Sequence, residues 1–145
     1  MLRIFSLIGA LALLLTTFTG CNATKEAKAG TPAKAIDRGK YLVENVGMCA
    51  DCHTARQADG QFDRSRWLQG SMVVFKPIDP MPVWAVVAPA IAGLPGHDER
   101  DAIVLLETGL TPTGGYLRPP MPEYRFSHED AQAVVTYLKS LAPTQ

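Results

Sequence analysis

Met48-Cys49-Ala50-Asp51-Cys52-His53 decides how this chain is read, because it contains C-x-x-C-H. Two thiols three positions apart, placed at the end of a helix, reach the two vinyl groups on one edge of a porphyrin. The next residue then aims its imidazole at the iron, so the pattern reads as covalent haem attachment through Cys49 and Cys52 with His53 as a metal ligand. The upstream sequence supplies the helix. From Ala35 to Val46, the residues Ile36, Tyr41, Leu42 and Val46 fall within one broad apolar stripe. Gly39 lies in that stripe at a cost of about 1 kcal/mol relative to Ala, and close approach by another helix would offset it. Gly47 ends the helix as a C-cap.

Other uses of the pair fit less well. A thioredoxin-like dithiol wants C-x-x-C at the start of a helix in a βαβ setting, whereas here a helix precedes it. Zinc would need Cys49, Cys52 and His53 to be joined by a fourth ligand such as His97 or His128. A plain disulfide, open to an exported protein, leaves His53 unexplained.

The N-terminus reads as an export signal over residues 1–20. Arg3 gives the positive start, and Ile4 to Leu15 is an apolar run of about twelve residues, the length of a signal-peptide core. A membrane-spanning helix needs about 20, and Thr16, Thr17 and Thr19 interrupt the run. Phe18-Thr19-Gly20-Cys21 resembles the lipobox of bacterial lipoproteins, with Phe18 where Leu is usual. On that reading Cys21 is lipidated, residues 21–33 are a flexible tether rich in Ala, Lys, Thr and Gly, and residues 34–145 form the folded domain. Firm anchoring needs more than one acyl chain. The three cysteines thus divide as one for export and two for the cofactor.

Downstream, Asp59-Gly60, Pro77, Pro80 and Pro82 argue against long helices between residues 55 and 88. Met72 to Phe75 and Val83 to Val87 read as short strands or apolar loops, with Met72 in the core. Asp98 to Thr108 reads as a helix capped by Asp98, carrying Ile103 and Leu106 on its apolar face and stopped by Gly109. Thr111 to Pro122 is a Pro/Gly-rich loop. Ser127 with Asp130 opens a last helix, and Val134, Tyr137, Leu138 and Leu141 share one of its faces. A sixth iron ligand would be a methionine. Of the five present, Met81 and Met121 stand out because prolines flank both. Such prolines leave the thioether little conformational entropy to lose.

These features together resemble a class I, mitochondrial-type bacterial c-type cytochrome with a single haem, and most of all the cytochrome c subunits of periplasmic dehydrogenases. The resemblance rests on Arg38-Gly39-Lys40-Tyr41-Leu42 leading into Cys49 to His53, a later Pro89, Met121 in a Pro-rich loop, and a final helix bearing Tyr137 and Leu138. It covers residues 34 to 142 and implies a small all-α domain packed around one covalent haem c, with a long irregular insert. By that resemblance Met121 is the second axial ligand, and the Pro89 carbonyl accepts a hydrogen bond from the His53 imidazole. Trp67, Trp84, Tyr116 and Arg118 are candidates for the haem propionates.

The implied activity is single-electron transfer by an exported protein, on the periplasmic side and lipid-anchored to a membrane. It is not an enzyme on this reading. Redox partners would be a dehydrogenase, another cytochrome or a terminal oxidase. Lys+Arg and Asp+Glu both number 14, which argues against nucleic acid as a partner. Two other readings compete: a haem enzyme or gas or redox sensor with an open sixth position, and a fixed subunit of a dehydrogenase complex.

Overall fold

The computed structural model describes residues 31–141. The expected signal segment, Cys21 and most of the tether therefore lie outside the described residues. No helix among the described residues is long and apolar enough to cross a membrane.

The architecture is mostly helical. Helix α1 spans Pro32–Tyr41 and starts three residues earlier than Ala35. Pro32 sits in its first turn, where the missing N–H of proline has no intrahelical partner to lose. The helix then widens into a π-helical segment, Leu42–Val46, closed by the Gly47 N–H on the Leu42 carbonyl at 2.7 Å. The buried stripe differs from the expected one. It runs through Gly39, Leu42 and Val43, with Ile36 partly buried, while Tyr41 and Val46 are exposed. The spacing i, i+3, i+6, i+7 from Ile36 faces the neighbouring helix, and Tyr41 lies off it.

Helix α2 is the single turn Ala50–His53. Helix α3 is Glu99–Thr108, capped by the Asp98 carboxylate on the Arg100 and Asp101 N–H groups and ended by Gly109 at φ 76°. Helix α4 is His128–Ser140, with Ser127 Oγ accepting from the Asp130 N–H at 3.2 Å. It buries Val134, Tyr137 and Leu138 as the periodicity predicts, and also Ala131, Ala133 and Val135.

Helices α1 and α3 both pack on α4. At the α1–α4 crossing an added Cβ on Gly39 would overlap the Ala133 carbonyl and come within 2.7 Å of Tyr137 Cβ. The glycine is there because the two backbones touch. One core joins these helices, with Leu68 and Ala92 contributed by loops.

The stretch from residue 55 to 88 is more ordered than its composition suggests. Its first half folds on an aromatic pair, Phe62 and Trp67, with centroids 5.7 Å apart. Arg56 lies 4.2 Å from the Phe62 ring centre and Arg64 lies 4.1 Å from that of Trp67, within cation–π range. Its second half is a long hairpin based on β1 (Ser71–Met72) and β2 (Val87–Ala88), paired antiparallel. Met72 is 63% exposed, not core. Alternation along the strand turns Val73 and Phe75 inward and leaves Met72 and Val74 outside, and no second layer covers that outer face among the described residues.

Candidate functional site

The turn after Gly47 brings Met48 to φ 47°. Helix α2 follows at once and sets Cys49 and Cys52 one turn apart, both as free thiols. His53 ends this turn and is held from three directions. Its backbone N–H donates to the Cys49 carbonyl at 2.9 Å, and its own carbonyl accepts from the Gly70 N–H at 2.8 Å. Its ring Nδ1 lies 2.7 Å from the Pro89 carbonyl. A carbonyl only accepts, so Nδ1 carries the proton and Nε2 keeps a free lone pair. Gly70, at φ +87°, is required here, since a Cβ would come within 2.9 Å of the Ala88 carbonyl.

These groups border a cavity of about 560 Å³, within the usual size of a small-molecule site. Its lining is largely apolar. Leu94, Leu105 and Leu106 come from the α3 side, Val134, Val135 and Leu138 from α4, and Val73, Phe75, Ala85 and Val87 from the hairpin. Met121 borders the same cavity, between Pro120 and Pro122. Met81 has the same proline setting but sits on the hairpin outside the cavity, 42% exposed. Met48 and His97 also reach the cavity edge. No local signal in the sequence gives either a place there. His97 is exposed, as is His128, which pairs with Glu107 at 2.6 Å outside the site.

Burial governs the electrostatics. It pushes the Cys49 thiol up to about 11, with the neighbouring Tyr124 hydroxyl partly opposing. Burial and the nearby Asp51 raise Cys52 as well. Burial lowers His53, against the opposing effect of its hydrogen bond to Pro89. At neutral pH the site therefore holds two thiols and a neutral imidazole, the form that binds metal. Among the described residues, no three His, Cys, Asp or Glu side chains gather into a cluster able to hold a bare metal ion. The tetrahedral zinc arrangement with His97 or His128 is thus not formed.

The remaining candidates divide. Arg118 borders the cavity. Trp84 packs edge-on against Phe75 on the cavity wall, with centroids 5.8 Å apart, and its indole N–H is buried without a partner. Trp67 belongs to the Phe62 cluster, and Tyr116 is exposed. Sequence reasoning missed Tyr124, which borders the cavity and donates its hydroxyl to the Gly47 carbonyl at 2.5 Å. No local signal marks it, since its partner is 77 residues away.

A large apolar group bearing a metal fits this donor set. Two thiols, an imidazole with one free nitrogen and a thioether border the same space, and an unsatisfied indole donor packs against Phe75 of its wall. The sequence comparisons agree. Residues 36–142 match the family model for cytochrome c. A protein described as a diheme cytochrome c-type, from Cereibacter sphaeroides, is 33% identical over 116 residues, covering 76% of this chain and 36% of the relative. This chain thus spans little more than a third of that relative's length. The matched region contains the attachment motif, the cavity, most of α1 and all of α2, α3 and α4, and the chain belongs to the cytochrome c family, whose haem-based chemistry is electron transfer.

Proposed function

We propose that the chain carries one haem c, linked through Cys49 and Cys52 with His53 and Met121 as axial ligands, and works as a single-electron carrier. The observation that carries this reading is the placement of His53. It is neutral and fixed through Nδ1 to Pro89, and it shares an apolar cavity with two thiols and Met121. When bound, haem supplies a one-electron iron couple whose potential the axial ligands and burial tune.

The chain's own residues do the rest. Pro89 orients the imidazole and raises its basicity by accepting a hydrogen bond from Nδ1–H. Leu94, Leu105, Leu106, Val134 and Leu138 keep water away from the metal. Arg118, which borders the cavity, is a donor available to carboxylates on the bound group. A single C-x-x-C-H in the sequence supports one haem per chain. The N-terminal pattern around Cys21 supports export and a lipid tether on the periplasmic side, with residues 34–145 as the working domain.

Partners would be other redox proteins, such as a dehydrogenase, a cytochrome or a terminal oxidase, meeting the chain through a small, transient interface. The diheme relative favours a refinement. A domain like this one occurs in a longer chain described as diheme, so a second haem-bearing domain is a fitting partner, whether in a fixed complex or an encounter.

The optical spectrum of the haem-loaded protein tests the axial assignment. A weak long-wavelength band of iron–sulfur ligation is expected in the oxidised form, together with indifference of the reduced form to CO. Met121→Ala abolishes the band and opens the site to CO, while Met48→Ala and His97→Ala leave both unchanged. If CO binds the unaltered protein readily, the sixth position is open and sensing or catalysis replaces simple electron transfer.

A further inference from the structure

We propose that Tyr124 is a positioning residue, whose hydroxyl latches the Met121 loop to the turn that carries the cofactor-attachment cysteines. The inference rests on the reading that Met121 is an axial ligand, and it adds what holds that ligand in place.

The loop between α3 and α4 is poor in backbone bonds where it matters. Pro119, Pro120 and Pro122 have no N–H to donate, so this stretch is held through its carbonyls and through side chains. Two long-range anchors bracket Met121. On the N-terminal side, the Pro119 carbonyl accepts from the Ala85 N–H of the hairpin at 2.7 Å. On the C-terminal side, Tyr124 Oη donates to the Gly47 carbonyl at 2.5 Å. The next tertiary backbone bond is the Phe126 N–H on the Leu106 carbonyl at 3.3 Å. Without the hydroxyl, the described hydrogen bonds from the chain between Pro120 and Arg125 to the rest of the protein are a local turn bond from the Met121 N–H to the Arg118 carbonyl at 3.2 Å and a long one from Arg125 Nη1 to the Thr108 carbonyl at 3.4 Å.

The latch is set in a tight seat. The Tyr124 ring stacks on Phe126, with centroids 5.0 Å apart and planes at 8°, which fixes where the hydroxyl points. A Cβ on Gly47 would lie 3.3 Å from Tyr124 Oη, 3.3 Å from Cys49 Sγ and 3.2 Å from the Leu42 carbonyl. Gly47 has an ordinary negative φ of −79°, so its lack of a side chain serves this close approach and not an unusual backbone. Burial raises the Tyr124 phenol above its ordinary range, and the group stays a donor at any physiological pH. The bond therefore ties the residues that flank Met121 to the residues that flank Cys49, across the mouth of one cavity.

The test compares the haem-loaded full chain with Tyr124→Phe, which keeps the ring stack. Tyr137→Phe is the control, since it also removes a tyrosine hydroxyl bond, the one to Glu44 at 2.9 Å, away from the Met121 loop. Two quantities are read: imidazole affinity of the oxidised protein, which requires displacement of Met121, and amide hydrogen exchange across residues 117–126. Tyr124→Phe should bind imidazole about tenfold more tightly, in line with a lost, partly buried hydrogen bond and a carbonyl left unpaired. It should also exchange faster in residues 117–126 while Tyr137→Phe does not. Gly47→Ala, which crowds the hydroxyl from the other side, should shift both readings the same way. Equal imidazole affinity and equal exchange in the two tyrosine variants overturn the latch. If the unaltered protein shows no iron–sulfur band, the Met121 reading fails, and the exchange comparison alone still decides whether Tyr124 holds the loop.

Discussion

At the scale of single residues, this protein is governed by places where one atom more would not fit. Gly39 is the clearest. Its missing Cβ lets α1 lie directly on the Ala133 carbonyl and Tyr137 of α4. Gly39→Ala would gain about 1 kcal/mol of helix propensity. It would also force the two helices apart in a close-packed interior, where overpacking costs typically 1–3 kcal/mol and sometimes more. Geometry wins over propensity, because the overlap is with backbone, which cannot rotate away. Gly39→Ala should lower stability by about 2 kcal/mol, read from the denaturant midpoint of the haem-loaded protein at unchanged slope. His53 shows the same dependence on main chain, since its orienting acceptor is the carbonyl of Pro89 and not a side chain.

At the scale of elements, α1 and α4 are joined by a fork as well as by packing. Arg38 Nε and Nη2 each donate at 2.8 Å to one oxygen of Asp130. Ser127 with Asp130 reads in sequence as a capping box, yet only half of it forms. Ser127 Oγ caps the Asp130 N–H, while the carboxylate turns to Arg38. The hydrogen bond from Arg38 holds the Asp130 carboxyl below its ordinary range. A carboxyl with a depressed folded pKa adds stability above its unfolded value near 3.9, and that contribution disappears as pH falls through the folded pKa. Arg38 is half exposed, so the pair is worth about 0.5–1 kcal/mol at most. Asp130→Asn should therefore cost about that much at pH 7 and progressively less at acidic pH, and salt should weaken the difference. Denaturant midpoints at neutral and acidic pH check it.

At the scale of the whole molecule, the apolar cavity is part of the core. Val134, Val135, Leu138 and Leu106 belong to the packed cluster and also line the cavity. A group that fills it is therefore structural as well as chemical, and binding to the folded state adds directly to stability. Replacing both attachment residues, Cys49→Ser with Cys52→Ser, should leave a chain with much of its helical far-UV signal but a broadened, weakly cooperative unfolding transition and little near-UV structure. Circular dichroism with a denaturant series measures this. A sharp transition equal to that of the haem-loaded protein would show instead that the helices hold the cavity open by themselves.

The sequence by itself determined what depends on neighbours a few residues apart. The C-x-x-C-H spacing, the caps of α3 and α4 at Asp98 and Ser127, the Gly109 stop and the apolar face of α4 all follow from local geometry and helical period. Only the tertiary structure decided what depends on residues far apart in the chain. Arg38 meets Asp130 across 92 positions, His53 meets Pro89 across 36, and Tyr124 meets Gly47 across 77. Met121 and Met81 share one local pattern, and the packing of the chain brings the first, and not the second, to the cavity. The hairpin from Ser71 to Ala88 and the outward face of Met72 were hidden for the same reason. Alternation along a strand fixes which residues share a face, but only the elements packed around it decide which face is inside.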